Sequence, residues 1–135
     1  MSLPFLDSNV PVYALTEGDR RQDVATALLA AGGTISVQVL NEVATVARRK
    51  LGFTWLEVRQ ALAALRALCP PPLPLTTATH EAALGLAEQT GYAFYDALIL
   101  AAALEAGCET VLTEDMQDGQ VIDGRPTIRN PFRPG

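Results

Sequence analysis

Four acidic residues, far apart in the sequence, stand where a strand or helix is expected to begin or end. Asp7 follows a short apolar run, Asp96 opens a long apolar segment, and Asp115 follows a β-branched run. The carboxyl ends of parallel strands and the starts of the adjoining helices line one edge of a sheet, so these three aspartates can converge there. Glu42 lies in a segment with helical spacing, at about 100° from the centre of its apolar face, where a side chain can point into a cleft.

Carboxylates gathered in this way predict a bound cation. Two of them about 4 Å apart repel by about 1 kcal/mol in water and about 4 kcal/mol at an effective dielectric near 20. Hard oxygen ligands select Mg²⁺ or Mn²⁺ over zinc. An ion held there would polarise a phosphoryl oxygen, lower the pKa of a bound water and orient in-line attack. The pattern therefore points to hydrolysis of a phosphate ester.

Each acid also has a purely structural explanation when it is taken alone. Asp7 and Asp96 can be helix N-caps, which stabilise a helix by about 1 kcal/mol each. Asp115 can be a turn residue, as can Asp118 beside its glycine, the weakest of the candidates. Glu42 can be an ordinary solvated helix residue. The constellation is more informative than any one member.

Predicted strands alternate with predicted helices around these acids. The strands are expected at residues 3–6, 34–37, 110–113 and 127–129, with a possible one at 73–75. The helices are expected at residues 19–31, 38–50, 55–68 and 95–107, with a turn from strand to helix at 7–9 and another helix that starts at Thr76, Thr77 or Thr79 and ends near Gly91. This alternation predicts an α/β fold, a three-layer α/β/α sandwich with a mostly parallel sheet.

Composition indicates one globular domain over residues 1–135. No apolar run reaches the roughly 18 residues that span a bilayer, and the first residues do not resemble a signal peptide. Two cysteines, Cys69 and Cys108, are too few for a disulfide framework or a zinc site, so a cytoplasmic protein with no membrane contact is expected. The net charge of −5 argues against broad electrostatic coating of nucleic acid, but a nuclease stays open because a metal supplies positive charge.

Other chemistry-bearing residues have structural interpretations. His80 is the only histidine, and no nucleophile or metal-ligand motif surrounds it, so we expect it at the surface. Trp55 is expected in the core or an interface, in preference to a base-stacking platform. The basic run from Arg48 to Lys50 is expected to match the dipole at a helix C-terminus, in preference to contacting phosphate.

Four segments carry a resemblance to a known family: FLDSNV, SVQVLNE, YDALILAAALEAGCETVLTEDMQDG and IRNPF. Together they make the chain similar to PIN-domain ribonucleases, most closely to the VapC-like toxins of bacterial toxin–antitoxin pairs. Residues 50–91 carry little of this resemblance. The resemblance assigns the four acids of the family to Asp7, Glu42, Asp96 and Asp115, and hydrogen-bonding support of the site to Ser8, Asn9 and Thr113.

The resemblance further implies Mg²⁺ or Mn²⁺, endonucleolytic cleavage of RNA, a homodimer, and inhibition by a small cognate antitoxin. We therefore predict a metal-dependent endoribonuclease, the toxin of such a pair. Asp7, Asp96 and Asp115 would hold the metal directly or through water, and Glu42 would ligate or orient the attacking water. The exposed apolar surface of segment 55–68 would suit a dimer or antitoxin face.

Two other functions remain open at this point. One is a non-catalytic PIN-fold module that binds RNA or a protein, for which the four acids are not needed. The other is a phosphatase with Asp7 as the nucleophile. The second is less favoured, because such enzymes commonly place another aspartate two residues on, where this chain has Asn9.

Overall fold

The computed structural model describes residues 3–133 as an α/β structure. In chain order, its elements are β1 (Phe5–Leu6), α1 (Asn9–Ala14), α2 (Gln22–Ala31), α3 (Val37–Arg49), α4 (Trp55–Leu68), α5 (Thr77–Thr90), α6 (Phe94–Glu105), β2 (Thr110–Leu112) and β3 (Thr127–Arg129). None of the helices within the described residues has the length and apolar character needed to cross a bilayer.

The strands form a parallel sheet in the order β1-β2-β3. Two single parallel bridges extend this sheet beyond β1, from Phe5 to Thr34 and from Ser36 to Leu73. Five segments therefore run side by side in one direction. The predicted α/β sandwich with its mostly parallel sheet is confirmed.

Two of the predicted strands are wrong as strands, since their residues make only isolated bridges: Thr34 and Ser36 make one each in the first run, and Leu73 makes one in the second. The run 34–37 is cut short because the Ser36 side chain accepts from the backbone N–H of Val39 and starts α3 at Val37. The run 73–75 is reduced to Leu73, whose neighbours on both sides are prolines without an N–H to donate.

Local capping explains where the helices begin. Thr54 and Glu57 form a reciprocal capping box at the start of α4, with N···O distances of 2.9 and 3.1 Å. Thr76 is the threonine that caps α5. The helix predicted from residue 19 begins at Gln22, because the Asp19 carboxylate accepts from the backbone and guanidinium of Arg21 in a turn before the helix.

The core is one cluster of apolar side chains gathered around the sheet. Helix α6 runs through it, and every residue from 97 to 103 is buried, as its nearly continuous alanine, leucine and isoleucine content predicts. Helix α6 packs mainly on α5 and also contacts α3. This packing fixes the first turn of α6 near the carboxyl ends of β1 and β2, where the candidate site lies.

The close approach of Gly33 to Leu6 gives a test of this core. A Cβ atom at Gly33 would lie 2.5 Å from Cγ of the buried Leu6 side chain. We expect Gly33→Ala to lower the free energy of unfolding by about 1–3 kcal/mol, because the core must shift to admit the methyl group. Gly85→Ala, in α5 with no atom within 4 Å of the new Cβ, should instead gain up to about 1 kcal/mol. Urea unfolding compares the two, and equal effects would contradict the close packing.

Candidate active site

A cleft of about 490 Å³ lies where β1, β2, α3 and α6 meet. It is lined by Asp7, Ser8, Gln38, Asn41, Glu42, Thr45, Val46, Tyr95, Asp96 and Asp115. The structure thus brings all four of the predicted acids to one cavity, although 108 positions separate the first from the last.

Asp7 is the most buried of these acids, with 2% of its surface exposed. Its Oδ2 atom accepts from the Thr113 hydroxyl at 2.8 Å, and its Oδ1 atom accepts from the Ser8 backbone N–H at 2.7 Å. Burial raises the pKa of Asp7 to about 7, against these two hydrogen bonds, and the charges of Glu42 and Asp115 add to the rise. Asp7 therefore resists ionisation unless a cation is near.

The Thr113 hydroxyl joins two of the acids. It donates to Asp7, and it accepts from the Asn9 side-chain amide and from the Asp115 backbone N–H, both at 3.1 Å. The same Asn9 amide also donates to Asp115 Oδ2 at 3.1 Å. Ser8, Asn9 and Thr113 thus make the contacts that a supporting role requires.

Asn9 has one polar atom left over. Its Oδ1 atom is buried and has no hydrogen-bond partner within residues 3–133. An unpaired buried acceptor of this kind is costly unless water or a ligand satisfies it. It therefore marks a place for a further donor beside Thr113 and Asp115, which the amide nitrogen of the same side chain contacts.

Removal of the Thr113 hydroxyl tests this network. Thr113→Val keeps the shape of the side chain and leaves Asp7, Asn9 and the Asp115 N–H without their shared partner. We expect the free energy of unfolding to fall by about 1–3 kcal/mol, as for buried polar groups left unpaired. Thr26→Val, at an exposed position of α2, is the control and should change it by no more than about 0.5 kcal/mol. A Thr113 variant as stable as this control in urea would contradict the network.

Asp96 and Glu42 approach the cleft from the two helices. Asp96 lies in the first turn of α6, and its pKa is raised by burial first and then by the charges of Asp115 and Glu42. Glu42 lies on α3 and accepts from the Gln38 amide at 3.2 Å. The carboxylates therefore interact through space across the cleft.

Capping does not account for the two aspartates. Helix α1 has Ser8 at its N-cap, and α6 has Ala93 there, with no side-chain cap bond in either case. Asp7 and Asp96 lie before and after these positions. The structural explanation weighed for them is therefore wrong, and their placement at the cleft needs another reason.

The donors in the cleft suit a hard divalent ion. Within residues 3–133, no three acidic, histidine or cysteine side chains already surround one point as a closed metal cage. Mg²⁺ rarely needs such a cage, since it keeps several waters and binds through one or two carboxylates. An open cleft with four carboxylates, two of them with raised pKa, fits that ion, and it fits Mn²⁺ for the same reason.

Sequence reasoning missed several polar residues of the cleft. Gln38, Asn41 and Thr45 share with Glu42 one face of α3, and Tyr95 stands next to Asp96. The signal was available, because residues three and four apart on a helix are neighbours. A helical wheel centred on Glu42 would have found the first three.

Two other acids of the turn after β2 have structural roles outside the cleft. Asp118 accepts from the Asn130 backbone N–H at 2.7 Å and from Arg133 at 2.8 Å, and these contacts lower its pKa. Glu114 accepts from the Tyr13 hydroxyl and from the Arg21 guanidinium. These contacts tie down the turn on both sides of Asp115. His80 is exposed, as predicted, and its ring packs edge-on against Phe94.

Solved structures with the same fold come from bacterial toxin–antitoxin systems. VapC20 of Mycobacterium tuberculosis, a sarcin-ricin loop cleaving toxin, is 24% identical with a TM-score of 0.66, over 79% of this chain and 85% of that one. A toxin–antitoxin complex from Klebsiella pneumoniae is 22% identical with a TM-score of 0.70, over 96% and 98%. VapBC2 of Rickettsia felis, bound to a fragment of its promoter DNA, is 20% identical with a TM-score of 0.64, over 93% and 96%.

Comparison with curated proteins gives no match. The PIN domain family, by contrast, matches this sequence over residues 5–117. That range includes β1, all six helices and β2, and with them all four acids of the cleft. The chain belongs to the PIN domain family.

Proposed function

We propose that this protein is a metal-dependent endoribonuclease and the toxin of a toxin–antitoxin pair. The observation that carries the proposal is the gathering of Asp7, Glu42, Asp96 and Asp115 at one cleft of a PIN domain. Further support comes from the similar structures, which include a toxin that cleaves the sarcin-ricin loop of RNA.

Each acid has its own part in the proposed reaction. Asp7, Asp96 and Asp115 would hold Mg²⁺ or Mn²⁺, and Glu42 would orient the attacking water and accept its proton. The Gln38 amide keeps one oxygen of Glu42 engaged, which fixes the direction of that carboxylate. A divalent ion supplies polarisation of the phosphoryl oxygen and a lowered pKa for water.

The buried network prepares the ligands for that role. Asp7 must be ionised to act as a ligand, although burial raises its pKa to about 7. The Thr113 hydroxyl and the Ser8 N–H favour the ionised form and aim its two oxygens. Metal affinity should therefore increase with pH through the neutral range, as protons leave the carboxyls.

A small cognate antitoxin is the proposed protein partner. Support comes from the toxin–antitoxin complexes among the similar structures and from an apolar cavity of about 80 Å³ that α1, α2, α3 and α4 enclose. Leu68 lines this cavity and is half exposed, so apolar surface extends outward from it. A homodimer remains part of the proposal, as the resemblance implies.

The alternative is a PIN-fold module that binds RNA or protein without cleaving it. The two functions differ in what happens to the RNA and in whether metal matters.

Cleavage of a labelled structured RNA in Mg²⁺, in Mn²⁺ and in EDTA tests the proposal. We expect internal cuts with either metal and none in EDTA. The new ends should be a 5′ phosphate and a 3′ hydroxyl, because water attacks the phosphorus and the 3′ oxygen leaves as the hydroxyl. A preparation of Asp96→Asn purified in parallel controls for contaminating nucleases. RNA that is bound but stays intact in every condition would assign the protein to the binding module.

A further inference from the structure

The proposed catalytic cleft has no cation of its own. Its lining consists of acidic, neutral polar and apolar side chains, with no lysine or arginine. A polyanionic strand needs positive side chains along its path, because phosphate neutralisation supplies much of nucleic-acid affinity. The cations that hold the RNA must therefore lie beside the cleft.

A second cavity of about 280 Å³ adjoins the cleft and supplies such cations. It is lined by Ala44, Thr45, Arg48, Arg49 and Trp55. Thr45 also lines the acidic cleft, so the two cavities meet at this residue on α3. We call Arg48, Arg49 and Trp55 the tryptophan platform.

The indole of Trp55 is held in place and remains open to solvent. Its side chain is 61% exposed, so it does not lie in the core, one of the two places predicted for it. An aromatic side chain of this size is ordinarily well buried. The Arg48 guanidinium lies over its ring at 5.0 Å from the centroid and donates to the Phe53 carbonyl oxygen at 3.0 Å. The capping box of α4 fixes the backbone just before Trp55. The result is an exposed aromatic surface with one arginine over the ring.

The two arginines of the platform have no acidic partner among the residues that the structure describes. Arg48 and Arg49 are exposed, and neither takes part in an ion pair within residues 3–133. The match to the helix dipole explains why cations stand at the end of α3, but it does not explain why they share a cavity with an exposed indole.

We propose that the tryptophan platform binds one nucleotide of a single-stranded RNA segment whose neighbouring phosphodiester lies in the acidic cleft. A base stacks on the Trp55 ring, and the two guanidiniums contact its phosphates. Aromatic stacking beside arginine is how single strands are held with little sequence preference. The inference rests on the proposed function, since RNA is taken as the substrate. RNA is favoured over a protein partner because this cavity shares Thr45 with the acidic cleft. Tryptophan and arginine are also enriched at protein interfaces, so the test must separate the two occupants.

Trp55 is the only tryptophan of the chain, so its fluorescence reports on this surface alone. The Asp96→Asn variant, in which cleavage is expected to be lost, is titrated with an eight-nucleotide oligouridine RNA. We expect saturable quenching of the indole. In the same background, Trp55→Leu should raise the Kd of labelled RNA by about 5- to 100-fold, as expected for the loss of one stacked base. Arg48→Gln with Arg49→Gln should raise Kd about tenfold and reduce the salt slope by about 0.7 for each phosphate that is no longer neutralised.

The matched control is Arg66→Gln with Arg125→Gln, which removes the same charge from exposed positions outside both cavities. It should leave Kd within about twofold, apart from the general effect of net charge. Titration without quenching, or equal Kd values for the two double variants, would overturn the platform. So would a Trp55→Leu variant that changes its oligomeric state while RNA binding stays the same, since the surface would then be a protein interface.

The platform and the nuclease can fail separately. One outcome is quenching and arginine-dependent binding, with no cleavage by wild type in Mg²⁺ or Mn²⁺. This outcome would support the platform and contradict the proposed nuclease function. The opposite outcome is metal-dependent cleavage with the same KM in Trp55→Leu as in wild type. It would support the nuclease function and contradict RNA binding at the platform.

Discussion

Asparagine in place of Asp7 or of Asp96 is expected to reduce the rate of RNA cleavage by about 10²–10³-fold, at about 1.36 kcal/mol for each factor of ten. The substitution keeps the size of the side chain and removes its charge, so it removes ligand strength without opening a cavity. A bound divalent ion contributes several kcal/mol of transition-state stabilisation. A weaker metal site loses a large part of this stabilisation. Initial rates of cleavage, measured over a range of Mn²⁺ concentrations, check this.

The controls for that experiment come from acids outside the cleft. Asp118→Asn changes an acid in the same turn as Asp115, one that contacts Asn130 and Arg133 instead of the cavity. Asp23→Asn changes an exposed acid of α2 and matches the loss of charge. Both should retain most of the activity. If Asp96→Asn is as active as these controls at every Mn²⁺ concentration, the proposed site is wrong.

The convergence of the aspartates could be predicted because it follows from topology. In a parallel sheet, residues just after strands and at the starts of the next helices meet at one edge, whatever their separation in sequence. Asp7 after β1, Asp115 after β2 and Asp96 at the start of α6 satisfy that rule. Glu42 could be placed only approximately, because a helical wheel gives its direction but not the distance to its neighbours.

The hydrogen-bond network beneath the acids could not be derived from pattern. The resemblance pointed to Thr113 and Asn9, but nothing in the sequence shows that one hydroxyl serves Asp7, Asn9 and the Asp115 backbone together. Such an arrangement depends on distances between segments more than a hundred residues apart. Sequence periodicity carries no information on them.

The strand predicted at 34–37 is wrong, and so is a core position for Trp55, while an interface position for Trp55 stays a prediction; in both cases a competing interaction decides the outcome. The β-branched run at 34–37 favours a strand, but the Ser36 side chain captures a helix N-terminus and ends the run early. Trp55 is large and apolar, which favours burial, but its place at the first position of α4 leaves it against Arg48 at the surface. In both cases a specific neighbour overrides a general preference.

The stability of the metal-free protein should fall as pH rises from about 4 to about 7. The pKa of Asp7 is about 7 in the folded chain, against 3.8 for an unperturbed carboxyl. Between these values the folded state binds more protons than the unfolded state, so the free energy of unfolding decreases with increasing pH. The full shift corresponds to at most about 4 kcal/mol at 1.36 kcal/mol per pH unit. Asp96, whose pKa is also raised, acts in the same direction.

Asp7→Asn should therefore be more stable than wild type in EDTA at pH 8, and the difference should narrow towards pH 5, where the folded protein holds Asp7 protonated. The gain at pH 8 should be about 1–3 kcal/mol. It is smaller than the full shift because the bond that Ser8 N–H donates to the carboxylate is charge-assisted and becomes weaker with a neutral amide. Thermal melting should show a Tm higher by roughly 3–10 °C. Asp23→Asn serves as the control and should track wild type at both pH values.

Addition of Mg²⁺ should reverse the order of the two proteins. An ion that binds only the folded state raises the Tm of wild type by mass action, and it should have much less effect on Asp7→Asn. Equal Tm values for wild type and Asp7→Asn at pH 5 and pH 8, without and with Mg²⁺, would contradict the proposal that the buried Asp7 carboxylate destabilises the metal-free fold and binds the ion. Both effects have one cause. The buried charge of Asp7 destabilises the metal-free fold, and the same charge binds the ion. Removal of this charge should therefore stabilise the fold and slow cleavage.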